Sequence, residues 1–153
     1  MLQQTASAAP VTDRGSYRAT RWVLRVGFGI QAALAVSQPV LAGSYLSGNL
    51  DAIGVHSAIG GSLPVVGFVA LVLAVLHWWP GRGPAWPALV MVVLAVLFVI
   101  QANAGYSRTL GLHIPLGVAI VGTTVGLFGW SVFGRDRHRP PRMPERPEPV
   151  ETP

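Results

Sequence analysis

The sequence predicts an all-α integral membrane protein, a four-helix bundle made of two repeated transmembrane hairpins. Three observations carry that prediction. Of the 153 residues, 51% are hydrophobic and only 11% charged, with a mean hydropathy of +0.49; a soluble domain usually carries about a quarter charged residues. The charge deficit is concentrated in four apolar stretches, each close to the roughly 20 residues that cross a bilayer. The stretches also pair into hairpins that share a short residue pattern.

The expected spans are residues 22–45, 53–79, 86–103 and 112–133. The first follows Arg14, Arg18 and Arg21, takes in Arg25, and carries Gln31, Gln38 and Pro39. The second opens near His56, contains Pro64 and closes on His77-Trp78-Trp79; tryptophan favours the membrane–water interface, so His77 is expected there as an interfacial residue. The third follows a Pro/Gly loop containing Arg82 and ends near Gln101 and Asn103. The fourth starts beside His113, with Pro115 near enough to the start to fit a first helical turn. Pro39 and Pro64 are expected to kink their helices. Amides in hydrocarbon need partners, so the four Gln and Asn side chains are expected to bond across helices. Residues 14–36 also have the layout of a signal peptide, but the apolar run continues too far for one.

Around this 22–133 domain lie an N-terminal segment, residues 1–21, and a Pro/Arg/Glu-rich tail, residues 134–153. Both the first fifteen residues and the tail are too poor in apolar residues to fold alone and are expected to be disordered. All eleven basic residues are arginine. They flank the first span, the middle loop and the end of the fourth span, and only Arg108 falls in an opposite loop. Arginine excess marks the cytoplasmic side, so both termini and the middle loop should be cytoplasmic, in a bacterial plasma membrane. The formal charge of +5 therefore reflects topology and the lipid bilayer rather than nucleic acid. The absence of cysteine excludes disulfides, iron–sulfur clusters and covalent haem attachment. No charged pathway crosses the spans, which argues against a transporter.

The repeat is short. The first hairpin reads Gln38 to Tyr45, a loop, then His56 to Gly60; the second reads Gln101 to Tyr106, a loop, then His113 to Gly117. Each histidine enters from the outer side and is followed four residues later by glycine, Gly60 or Gly117, on the same helix face. Ionisable side chains in membrane spans usually serve a site. A matched pair on different helices suits the two axial positions of a haem iron, with His56 and His113 as ligands and the glycines leaving room for a flat macrocycle. Gln38 and Gln101 are candidates to orient the ligands or hold a propionate, and Arg108 to pair with a propionate. A zinc or copper site lacks ligands beyond Asp51. The competing account is interhelical hydrogen bonding by both histidines, and small-residue packing by both glycines.

The order of helix, short outer loop and histidine-led helix, repeated once, resembles one four-helix half of the haem A synthases. The segments QANAGY (residues 101–106) and HIPLG (residues 113–117) are similar to that family's turn into a histidine helix, and His56 and His113 match its histidine pair. The resemblance covers about residues 22–133. It implies one haem b, and a homodimer or a larger membrane redox complex that would mimic the eight-helix whole. The first outer loop departs from the family: it is short, lacks cysteine and offers only Asp51. The expected function is bis-histidine haem binding in electron transfer or haem handling, with quinone as a candidate partner. A haem-free accessory subunit and a haem-modifying enzyme are the alternatives, and the sequence leaves enzymatic activity open.

Overall fold

The structure is a computed structural model and describes residues 13–134, with side chains from residue 15 onward. The disorder expected for residues 1–12 and for the tail beyond residue 134 lies outside the described residues, as do five of the arginines and His138.

Four helices run in sequence: α1 (Asp13–Leu46), α2 (Asp51–Trp78), α3 (Trp86–Tyr106) and α4 (Leu110–Phe133). All four are long and apolar enough to cross a membrane. Each packs against its neighbours in chain order, and α4 returns to α1; the backbones of the diagonal pairs α1/α3 and α2/α4 stay apart. The result is a square, up-down-up-down bundle, which short loops between antiparallel helices favour. Most large apolar side chains face outward, among them Val65, Phe68, Val93 and Val118. That distribution suits an apolar solvent around the bundle.

The core is formed by Leu24, Phe28, Leu63, Ala70, Ala74, Ala88, Met91, Leu94, Phe98, Ile120 and Leu127. Most lie in the half of their helix nearer the termini, called inner below, and Leu63, Phe98 and Ile120 stand just beyond mid-helix. Beyond Ala35 no α1 residue is buried, none is buried in α2 between Ala52 and Leu63, and none in α4 before Ile120. The outer half is thus loosely packed.

Helix α1 begins nine residues earlier than the expected span, so that residues 13–21 of the N-terminal segment are helical. The extension is held by side-chain contacts that hydropathy does not register. Arg21 donates from Nε to Ser131 O (3.4 Å) and from a terminal nitrogen to Gly134 O. Arg25 donates to Ser131 O at 2.6 Å and to Val132 O at 3.4 Å. Two guanidinium groups thereby satisfy the orphan carbonyls at the α4 C-terminus, where the helix dipole also favours positive charge.

His77, expected at the membrane interface, does not face outward. It is fully buried at the inner end, with Thr20 Oγ1 3.2 Å from its Nδ1 and the rings of Tyr17 and Trp130 centred 5.1 and 6.4 Å away. The loop from Trp79 to Ala85 folds over it through Gly81 N–H to Leu76 O (2.9 Å) and Gly83 N–H to His77 O (2.7 Å). Pro39, Pro64 and Pro115 all lie inside helices. Pro115 is the sixth residue of α4, past the expected first turn.

Candidate functional site

Both outer loops close with the same device. At the end of α1, Asn49 N–H reaches Ser44 O (3.2 Å) and Gly48 N–H reaches Tyr45 O (3.0 Å). At the end of α3, Thr109 N–H reaches Ala104 O (2.9 Å) and Arg108 N–H reaches Gly105 O (3.1 Å). This paired six-to-one and five-to-two bonding is the Schellman motif, which needs a left-handed residue at its hinge. Gly48 supplies it at φ 102°, and Arg108 supplies it at φ 57°. Glycine has no steric cost there, whereas arginine does. Arg108 is therefore first of all the hinge of the second loop, and its side chain is exposed.

Measured from these hinges, the hairpins are offset by one turn. Gln38 lies ten residues before Gly48, and Gln101 seven before Arg108; His56 lies eight after, and His113 five after. The three-residue difference on both arms, about 4.5 Å of helix, lengthens the first hairpin while leaving each histidine opposite its own glutamine. His56 Nδ1 donates to Gln38 O at 3.2 Å, and His113 Nδ1 donates to Gln101 O at 3.0 Å. Each bond crosses from one helix of a hairpin to the other. With Nδ1 protonated, each Nε2 keeps its lone pair, the arrangement found in metal-ligating histidines whose tautomer is set by a backbone carbonyl.

The two rings meet in the bundle interior although α2 and α4 are diagonal. Their centres are 6.1 Å apart and their planes inclined by 62°. A separation of this order would also allow both imidazoles to bind one metal, since metal–imidazole bonds are about 2.0–2.1 Å long. The same separation lies within the range of an edge-to-face aromatic pair. Both rings are half-buried, and His56 Nε2 makes no hydrogen bond among the described residues. No group of three or more His, Cys, Asp or Glu side chains is placed to hold a metal ion among the described residues. Any metal held here would need ligands beyond the protein's side chains, as a porphyrin provides.

Gly60 and Gly117 do face the site, but glutamine side chains lie against them. A Cβ on Gly60 would fall 3.2 Å from Gln38 Oε1, and one on Gly117 would fall 2.8 Å from Gln101 Nε2. Gln101 Nε2 also stands 3.5 Å from His113 Nε2, a long hydrogen bond. Gly105, which the sequence did not single out, backs His113: a Cβ there would lie 2.9 Å from His113 Cε1. Asp51 is the first residue of α2, where a carboxylate favours the helix dipole.

The expected interhelical bonding of the amides is largely absent. Gln38 Nε2, Gln101 Oε1 and both polar atoms of Gln31 are buried without a hydrogen-bond partner among the described residues. Asn103 bonds Val99 O of its own helix at 2.8 Å. Such groups cost about 1–3 kcal/mol each when left unsatisfied. The chain was compared with protein-family models, curated proteins and solved structures, and none matches it.

Proposed function

We propose that the protein is a bis-histidine b-type haem protein of a bacterial plasma membrane, with both termini cytoplasmic. The observation that carries the proposal is the histidine pair. Two imidazoles from diagonal helices are centred 6.1 Å apart, and each Nδ1 is fixed on a carbonyl of its own hairpin. The loosely packed outer half and the orphaned amides of Gln38 and Gln101 support it, because a buried polar group without a partner calls for one.

In this reading His56 and His113 would hold the iron through Nε2, Gln38 and Gln101 would have to move aside from the glycines, and Gly60 and Gly117 would leave room for the ring. A bound haem supplies one-electron chemistry, and two histidine ligands leave no open position, which favours electron transfer over oxygen activation. The carbonyls of Gln38 and Gln101 keep both imidazoles in one tautomer and orientation. Arg108, displayed at the outer loop, would be available to pair with a propionate. Quinone or another membrane redox protein is the partner class, and the two hairpins read as a duplicated unit. The resemblance to half a haem A synthase adds haem handling as a role, and a homodimer would restore the eight-helix arrangement.

A second reading has its own support, since Gln38 and Gln101 already fill the space beside the glycines. There the histidines simply join the helices of each hairpin in a haem-free accessory subunit. The visible difference spectrum of the detergent-purified protein, dithionite-reduced minus oxidised, separates the two. A sharp low-spin b-type spectrum, lost or turned high-spin in both His56→Ala and His113→Ala, is the expected result. A colourless, folded wild type expressed with ample haem refutes the haem reading. Product analysis with haem O tests the haem-modifying alternative.

A further inference from the structure

The inner end of α1 carries a feature that the histidine site does not use. Tyr17, Arg18, Arg21, Trp22 and Arg25 line a surface cavity of about 210 Å³. Their spacing places three guanidinium groups and two aromatic rings on one side of a single helix. Arg25 lies over the Trp22 ring, its guanidinium carbon 5.2 Å from the centroid. Arg21 and Arg25 are anchored by the last carbonyls of α4. Arg18 makes no hydrogen bond or ion pair among the described residues and is exposed at the rim.

The guanidinium groups outnumber the acidic residues of the described helices, which are Asp13 at the start of α1 and Asp51. Asp51 is the only acidic residue between residues 15 and 134, and it starts α2 at the opposite end of the bundle. A rigid cluster of positive charge is held at the level where Trp22, Trp79 and Trp86 are exposed. Tryptophan prefers the headgroup layer of a membrane, so the cavity sits at headgroup depth with its arginines facing the cytoplasmic leaflet.

We propose that this cavity is a binding site for the phosphate of an anionic phospholipid of the inner leaflet. Arg18 and Arg25 are the phosphate donors, and Trp22 and Tyr17 line the path of the glycerol and upper acyl chain. Arg21 adds charge while it holds α4. Planar guanidinium donors match phosphate oxygens, and basic pockets at the cytoplasmic side of helix bundles take such headgroups. Because Arg21 and Arg25 also bind the α4 terminus, an anionic lipid seated there fastens the α1–α4 seam. The proposal rests on the membrane reading alone and is independent of haem.

Native mass spectrometry of the full chain, released from neutral detergent with phosphatidylglycerol or phosphatidylcholine, tests it. The expected result is one retained phosphatidylglycerol, no comparable phosphatidylcholine adduct, and a higher melting temperature in phosphatidylglycerol alone. Arg18→Gln is the informative variant, because Arg18 makes no hydrogen bond or ion pair among the described residues whose loss would unfold the chain. Removing one arginine should weaken phosphatidylglycerol binding about fivefold. Arg82→Gln, a charge-matched change in the inner loop, should leave binding near wild type. Equal retention of both lipids, an unchanged Arg18→Gln, or an equal loss in Arg82→Gln overturns the site. An equal thermal shift from inorganic phosphate overturns the lipid as its occupant. Recovery of the chain in the soluble fraction refutes the membrane reading itself, and separates that failure from a failure of the site.

Discussion

The two ends of the bundle are built on opposite principles. At the inner end Leu24, Phe28, Met91 and Leu94 are fully buried, Trp86 and Trp130 stack edge to face at 4.7 Å, and two arginines clamp α4. At the outer end the interior is shared by two half-buried histidines, two glutamines and two glycines, and long helix segments bury nothing. Apolar packing fixes the inner end. A few hydrogen bonds within each hairpin organise the outer end. Binding sites are commonly drawn from the less stable part of a fold, and here that part is the one holding the matched imidazoles.

The largest expected effect breaks the contrast from the packed side. Phe28→Ala empties a fully buried position and should cost about 3–5 kcal/mol. Leu46→Ala, at a residue 82% exposed at the outer end of α1, should stay within about 0.5 kcal/mol. Denaturant unfolding in detergent micelles measures both. Similar losses at the two sites would show that the outer half packs as tightly as the inner.

This contrast was only half legible in the sequence. The four spans follow from apolar run length, and the histidines stand out because ionisable residues are rare in such runs. The start of α1 did not follow, because residues 13–21 are polar and are held in the helix by Arg21 and its bonds to α4. His77 was read from its neighbours Trp78 and Trp79, which are exposed, although its own ring turns inward against Thr20 and Trp130. The one-turn offset between hairpins was hidden because the loop hinges differ in residue type, glycine in one and arginine in the other. The amides fared worst. A buried amide calls for a partner, yet the fold leaves Gln31 1% exposed and without a hydrogen bond among the described residues, which no sequence pattern announces.

A middle-sized effect is expected at the clamp. Arg25→Gln removes charged hydrogen bonds to Ser131 O and Val132 O, each worth about 1.5–3 kcal/mol when a charged group is involved. Hydrogen exchange at the last turn of α4 should rise, while the outer half of the bundle keeps its protection. Accelerated exchange at both ends would mean that the clamp also organises the histidine end, and that the two halves are coupled more tightly than their packing suggests.

The smallest effect sharpens the comparison within the outer end itself. Gly→Ala in a helix normally gains about 0.8–1.0 kcal/mol. At Gly117 the new methyl would stand 2.8 Å from Gln101 Nε2 and must push that side chain away, whereas at Gly60 the nearest atom is 3.2 Å distant and needs only a slight shift. Both glutamine side chains are flexible, so net stability should change by less than about 1 kcal/mol in either variant. If haem is bound as proposed, its occupancy should respond differently, because each methyl projects where the macrocycle would lie. Gly117→Ala should then lower the low-spin absorbance more than Gly60→Ala, since it leaves less room for the Gln101 side chain that must move aside. If the glycines serve only helix packing, the order disappears from the spectrum and both variants differ from wild type in melting temperature alone. Measuring absorbance and melting on the same samples therefore asks which of the two, macrocycle or glutamine, these glycines accommodate.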